Sequence, residues 1–393
     1  MLRTPALSRV LQRLPADLQD LLTPALLILT EAVDDNIATM IHCLDEDLDR
    51  WQPHIKTFKS RWAIEQLVQA GIRRFKCATT LELATACDAG AAEVLVAYPC
   101  DGARGIRVRE IAAQYPDVRI SAVVENLPQI TEWRRSPVSL FIDINPGMNR
   151  TGISQDCTDQ ILELATTTTN SGIELAGLHY YDGHHRQPDL AERTASAYPG
   201  YERLLEIAAA IGEIGINVNS LVTSGTPATP CALAFPGFRK CGIPHRVSPG
   251  TVLYNDLSTA SQLPLEWDFQ FAAVVASTVI SHPAPGRITC DAGHKAVSSD
   301  AGFPNCVVLG HPDLEPLHPS EEHLPIRIPD GHRVPEIGEI LYLIPRHICT
   351  TVNNFNEMLF VNRGEIVGLG KVDARGRESP AIGGRLSSRY TFA

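Results

Sequence analysis

Short apolar runs recur through the first two thirds of the chain: Pro53–Thr57, Arg74–Ala78, Glu93–Ala97, Arg119–Val124, Ser139–Ile144, Glu174–Tyr181, Ser220–Ser224 and His245–Pro249. Helical periodicity separates most of them. Ile64, Leu67 and Val68 follow the first run, and Leu81, Leu83, Ala84 and Cys87 the second. Leu162 and Leu164 follow the fifth, and Leu204, Leu205, Ile207, Ala208 and Ile211 the sixth. Strands that alternate with helices build parallel βαβ units, because parallel neighbours need a crossover long enough to hold a helix. Eight such runs in about 200 residues predict a (β/α)8 barrel, with an open doubly wound sheet as the alternative.

Upstream, Ile37, Met40, Ile41, Leu44 and Leu48 share a helical face, with Asp34 and Asp35 expected at its positive N-terminal end. Leu7, Val10, Leu11, Leu14 and Leu18 predict an amphipathic first helix, against the alternative of a transit peptide. After about Leu263 helical periodicity nearly vanishes. Alternating segments such as Phe271–Ser281, Arg287–Asp291 and Glu339–Ile344 lie between Pro- and Gly-rich turns and predict an all-β domain. Leu26–Thr30 is expected to pair into it. The predicted class is therefore α/β, with an N-terminal extension over 1–24, a barrel over 25–261 and a β domain over 262–393. The tail after Arg375 reads as loose.

Composition narrows the function. Of 393 residues 44% are hydrophobic and 20% charged, as in an ordinary packed protein. The formal charge is −11 and the densest basic cluster is only Arg104, Arg107 and Arg109, which argues against nucleic acid and anionic membranes as partners. The longest apolar stretch, Leu21–Leu29, is broken by Thr23 and Pro24, and falls short of the roughly 20 residues of a membrane span. Ten cysteines without a CxxC pair, and no secretion signal, read as reduced thiols in a cytoplasmic protein.

Barrel chemistry sits at the C-terminal ends of the strands. Lys56 ends strand one, where a desolvated lysine can lose its proton and form a Schiff base; the alternative is a surface lysine. Lys59 falls where the next helix begins and is expected to be solvated. Two glycine turns follow strands seven and eight, Ser224-Gly225-Thr226 and Pro249-Gly250-Thr251, where barrels bind phosphate through backbone N–H groups and hydroxyls. Arg150, just past strand five, could meet an anionic oxygen or form a rim salt bridge. Tyr181 and Asp182 end strand six, the tyrosine to pack on a ring or to cap the barrel. His347 and Cys349 stand two apart; in an extended chain both would face one side and could share a cation. His323 and the His184-His185 pair are weaker ligand candidates.

Several of these residues belong to an ordered set: Thr23-Pro24-Ala25-Leu26, Pro53-His-Ile-Lys-Thr-Phe-Lys-Ser60, Cys77-Ala-Thr79 with Glu82, Asp88-Ala-Gly90, Asp291-Ala-Gly-His-Lys-Ala296, Ser320-Glu-Glu-His323 and His347-Ile-Cys349. The set resembles the D-threonine aldolase / D-serine dehydratase family, fold-type III pyridoxal phosphate (PLP) enzymes related to alanine racemase, over roughly residues 22 to 375. The resemblance implies a TIM-type PLP-binding barrel, a C-terminal β domain and a cytoplasmic homodimer with its site near the subunit interface. It implies Lys56 as the Schiff-base lysine, Arg150 toward the PLP phenolate oxygen and Tyr181 facing the ring. Ser224, Gly225, Thr226, Gly250 and Thr251 would hold the phosphate, and His347 and Cys349 a divalent metal, zinc or alternatively manganese or magnesium. Departures are Gln52 for the usual arginine, Phe58 for a histidine, Leu324 for a glycine, and a strand-seven turn less rich in glycine.

The implied reaction is a lyase reaction on a D-3-hydroxy-α-amino acid. One outcome is retro-aldol cleavage to glycine and an aldehyde, as in D-threonine aldolase. The alternative is dehydration of D-serine or D-3-hydroxyaspartate type, giving a 2-oxo acid and ammonia. The turn His179-Tyr-Tyr-Asp-Gly resembles the aldolase branch, and His347-x-Cys349 the dehydratase branch. A non-catalytic PLP-binding protein is the reading from a different class.

Overall fold

The computed structural model describes residues 4–15, 18 and 20–380. Seven parallel strands form a curled sheet in the order Arg74–Cys77, Glu93–Val96, Arg119–Val124, Ser139–Asn145, Leu175–Tyr180, Leu221–Thr223 and His245–Val247. The segment Trp51–Ile55 closes the ring. It bridges Val247 through Trp51 on one side and Lys76 through His54 on the other, and the backbone N–H groups of Gln52 and Lys76 donate to Val247 and Pro53, each at 2.9 Å. Eight staves in a closed ring settle the architecture as a barrel and exclude the open sheet. Leu95, Val123, Phe141, Ala176 and Val222, from five different strands, pack as a separate apolar cluster that plugs its interior.

Most helices follow their apolar stripes. The helix Arg61–Gln69 buries Ala63, Ile64 and Leu67, and Ser60 caps it by accepting the Ala63 N–H. The helix Thr30–Cys43 buries Ile37 and Met40 as expected but starts earlier than expected, so Glu31 rather than Asp34 or Asp35 occupies its first turn. The preceding strand, Ala25–Leu29, ends at the helix N-cap with no intervening loop, which pulls the start forward. In the first helix, Thr4–Arg13, Val10 is buried while Leu11, at the stripe's edge, is 41% exposed.

The C-terminal sheet runs in the order Glu315–Pro316, Leu324–Arg327, Arg287–Cys290, Ala273–Ala284, Ala25–Leu29, Glu357–Asn362, Glu365–Lys371. The strand Ile340–Pro345 pairs with Ala273–Ala284 and with Cys306–Val308. Ala25–Leu29 lies inside this sheet, antiparallel to Ala273–Ala284 and parallel to Glu357–Asn362. The expected pairing of Leu26–Thr30 with the β domain is thus present, and the barrel is threaded between two parts of one sheet. The tail is not wholly loose: the Glu378 carboxylate pairs with Arg107 at 2.9 Å, while residues 381–393 lie outside those described. All ten cysteines are unpaired. Among the described residues no helix is long and apolar enough to cross a membrane.

Candidate active site

A cavity of about 500 Å³ opens where the C-terminal ends of the barrel strands meet the C-terminal domain. It is lined by Lys56, Arg150, Tyr181, Gly225, Thr226, Gly250, Thr251, His347 and Cys349, together with residues the sequence had not singled out. Ser224 stands just behind. It is fully buried at a positive φ of 63°, its hydroxyl on Thr223 Oγ1 at 3.0 Å, so it shapes the turn from below. A larger cavity of about 710 Å³ lies by Arg104, Arg107 and Arg377, but none of the candidate catalytic, cofactor or metal residues lines it. Chemistry rather than volume singles out the smaller one.

Lys56 follows the bridged strand, and its backbone N–H donates to His54 Nδ1 at 3.3 Å. Burial, with Lys56 and Lys76 nearby, holds His54 well below the usual imidazole range. His54 is therefore neutral and its Nδ1 remains an acceptor. Three basic groups lie around the Tyr181 ring: Arg150 Cζ at 4.4 Å from the centroid, Lys76 Nζ at 5.6 Å and Lys56 Nζ at 5.8 Å. The ring's negative face attracts each in its charged form. Among the described residues neither Lys56 nor Arg150 has a salt-bridge partner, which leaves both for an anionic ligand.

Lys59, expected in solvent, is 6% exposed and donates to Glu82 Oε1 at 2.8 Å and to the Ala374 carbonyl at 3.2 Å. Glu82 Oε2 accepts the Ala78 N–H at 2.7 Å. A lysine's reach let a partner 23 residues away decide its burial. The pair ties strand one, strand two and the C-terminal domain together.

Two short 3-10 helices, Thr226–Ala228 and Thr251–Leu253, begin at the glycine turns without a side-chain cap. Their N-terminal ends border the cavity. A Cβ on Gly250 would stand 2.1 Å from the His54 carbonyl oxygen, so only glycine lets this turn approach strand one. The buried Ser248 hydroxyl has no partner among the described residues. Free helix starts, an unpartnered hydroxyl, an unpaired arginine and a lysine in one cavity fit the phosphate, phenolate and aldehyde groups of PLP.

His347 and Cys349 are not on an extended strand. His347 is the N-cap of the helix Ile348–Val352, and Cys349 lies in its first turn. A carboxylate from the barrel side makes this turn: Asp256 Oδ2 accepts the Ile348 N–H at 2.9 Å while Oδ1 caps the helix Leu257–Gln262. The two side chains still interact. Burial opposes charge on both, but each favours it in the other, so His347 is raised to about 9, with help from Asp300, and the Cys349 thiol is held below its usual value. Asp300 Oδ2 lies 2.7 Å from His347 Nδ1, an arrangement that leaves Nε2 for a ligand. Cys349 Sγ is 3.1 Å from Thr57 Oγ1, the residue next to Lys56. One imidazole and one thiol shifted toward its thiolate form suit a borderline-soft cation. Among the described residues no third His, Cys, Asp or Glu completes a cluster, so other donors would have to come from substrate or water. His323 does not line the cavity. The His184 and His185 rings lie tilted against each other with centroids 4.0 Å apart, and His185 Nδ1 bonds Ser196.

Lys76, Asp143 and Asp256 were not singled out in the sequence, and His179 entered only as the first residue of a turn. Asp182, noted only for its position, is fully buried, raised to about 6 by burial, and bonded to the Tyr201 hydroxyl at 2.6 Å. The available signal was an ionisable residue inside an apolar strand, as Lys76 is between Phe75 and Cys77.

Comparison with known proteins agrees with both halves. The family model of the alanine racemase N-terminal domain matches residues 28–257, and a serine dehydratase domain model matches residues 272–361. A D-threonine aldolase of Arthrobacter sp. is 24% identical over 372 residues, covering 90% of this chain and 93% of that protein. A D-threo-3-hydroxyaspartate dehydratase of Delftia sp. (strain HT23) is 24% identical over 358 residues, covering 85% and 92%. The crystal structure of D-threonine aldolase from Filomicrobium marinum superposes with a TM-score of 0.83 at 25% identity, covering 92% of this chain and 98% of that one. With the barrel family matched over more than half its length, and the second domain and whole-chain relatives agreeing, this chain belongs to the D-threonine aldolase / D-serine dehydratase family of alanine racemase-like, fold-type III PLP enzymes.

Proposed function

We propose that the protein cleaves a D-3-hydroxy-α-amino acid by a retro-aldol reaction, with PLP and a divalent metal, to give glycine and an aldehyde. The observation that carries this reading is the 3.1 Å contact between Thr57 and Cys349, 292 residues apart. It supports the reading because Thr57 adjoins Lys56, the lysine that would engage the substrate's amino group, and Cys349 belongs to the pair that would hold the metal. A substrate with amine and hydroxyl on neighbouring carbons spans these two stations.

Bound PLP supplies an electron sink for the pair released at the substrate's α-carbon. The chain's residues do the rest. Lys56 would anchor the cofactor through its amine. Arg150 would balance the phenolate, and the starts of the two 3-10 helices would hold the phosphate. Tyr181 would pack against the ring. His347 and Cys349 would hold a divalent ion, zinc by the softness of a thiolate, with manganese or magnesium the alternatives, and it would supply Lewis acidity for the substrate's 3-hydroxyl. Two stations on one wall of the cavity would fix the orientation of a substrate carrying both groups.

Dehydration to a 2-oxo acid and ammonia is the second reading, favoured by one observation: the second donor is a thiolate where a carboxylate would suit harder ions. A non-catalytic PLP carrier would have no use for a second domain that delivers two donors into the cavity. The deciding experiment is product analysis with D-threonine and D-serine on the PLP- and metal-loaded protein. Glycine and acetaldehyde from D-threonine support the retro-aldol reading. Oxo acid and ammonia without glycine overturn it in favour of dehydration.

A further inference from the structure

The reading above leaves one buried titratable group without a task. Lys76 is 1% exposed, yet it lines the same cavity as Lys56. Their ammonium nitrogens lie at nearly equal distances from the Tyr181 centroid, 5.6 and 5.8 Å. Lys76 also touches a relay. His179 Nδ1 is 2.7 Å from Asp143 Oδ1, and His179 Nε2 is 3.4 Å from Lys76 Nζ. The carboxylate accepts from Nδ1, so the Nε2 lone pair faces the lysine, and Lys76 donates to it. All three side chains are buried.

The groups facing Lys76 are Lys56 and Arg150 toward the cavity, His54 beside it, Asp182 nearby, and His179 and Asp143 of the relay. Burial and the neighbouring cations push Lys76 down to about 7 against the pull of the two aspartates. Amine and ammonium then interconvert at neutral pH. An apolar side chain would fill the space without the cost of burying a charge, so packing alone does not explain a lysine here.

We propose that Lys76, aligned by His179 and Asp143, is a second acid–base group of this site, carrying the proton to and from the substrate's α-carbon. The proposal rests on the lyase reading. In retro-aldol cleavage the Cα–Cβ bond breaks, its electron pair stays at Cα, the 3-hydroxyl loses one proton and Cα gains one. No proton is gained or lost overall. The 3-hydroxyl proton passes to water in the open cavity, and Lys76 as ammonium supplies the proton at Cα, is left as the amine and takes that proton back from the water. The same exchange run on glycine alone swaps an α-hydrogen for solvent hydrogen.

The test follows glycine α-hydrogen exchange in deuterated buffer by NMR on the PLP-loaded protein, alongside its visible cofactor band. Wild-type exchange is expected to rise with pH through about 7 and then level, as Lys76 becomes a base. Lys76→Met is expected to keep the visible band, slow exchange about a hundredfold and lose the pH limb. His179→Gln, which keeps the amine but removes its backing, is expected to move the limb to another pH. In the full chain without PLP, a lysine side-chain resonance should titrate near 7 and vanish in Lys76→Met. Lys76→Gln serves if the methionine variant does not fold. Wild-type exchange rates with an intact limb in Lys76→Met overturn the proposal, as does loss of its visible band, which would make Lys76 a cofactor anchor instead. A wild-type protein without a visible band defeats the lyase reading itself.

Discussion

Two lysines three positions apart, Lys56 and Lys59, have opposite environments. Lys56 faces the cavity without a carboxylate partner, while Lys59 is spent on Glu82. Lys56→Ala should therefore abolish the visible band and turnover while leaving the urea midpoint almost unchanged. Lys59→Ala strands a buried carboxylate that is 1% exposed and should lower unfolding stability by about 3–5 kcal/mol. A surviving visible band in Lys56→Ala, lost instead in Lys59→Ala, would reverse the assignment. Position at a strand end made Lys56 legible in the sequence. The fate of Lys59 was not, because its partner is set by the fold.

At the scale of elements, the junction of Ile340–Pro345 with the short helix Ile348–Val352 carries His347 and Cys349, the proposed ligand pair. His347 and Cys349 come together as expected, but at a helix start rather than on the extended strand that alternation predicts. The alternating strand ends at Pro345, and Asp256 then turns the chain by accepting the Ile348 N–H, a contact 92 residues distant that no local pattern encodes. Chelation should stop turnover and leave the visible band, since cofactor and metal contacts come from different elements. Cys349→Ala should behave like the chelated protein. Cys349→Asp should shift preference from zinc toward manganese or magnesium and, if the thiolate promotes dehydration, raise the ratio of glycine to oxo acid. Full activity of Cys349→Ala after chelation would remove the metal from the reaction.

At the scale of the whole molecule, one strand joins the two halves. Ala25–Leu29 is fully enclosed within the C-terminal sheet and leads directly into the helix before the barrel. Ile28 is completely buried there. Ile28→Ala should cost about 2–5 kcal/mol and shift the unfolding midpoint equally when followed by tryptophan fluorescence and by the visible band. Trp51 and Trp133 report the barrel from buried positions. Separate midpoints for the two probes would show that the halves unfold independently.

The sequence by itself determined the eight strands, the helices between them, the change to β structure after the barrel, and the places where Lys56 and the glycine turns would fall. Each of these follows from periodicity over a few residues, because backbone hydrogen bonding and alternating burial repeat locally. The tertiary structure decided what depends on distant neighbours: the closure of the ring by Trp51–Ile55, the pairing of Lys59 with Glu82, and the delivery of Cys349 to Thr57 across 292 residues. It also decided the character of Lys76, which a linear reading counts among the residues of an ordinary strand. Only the closed barrel surrounds that amine with His179, Asp143 and a second lysine. Charge in a buried site is set by everything that encloses it, whatever its distance along the chain.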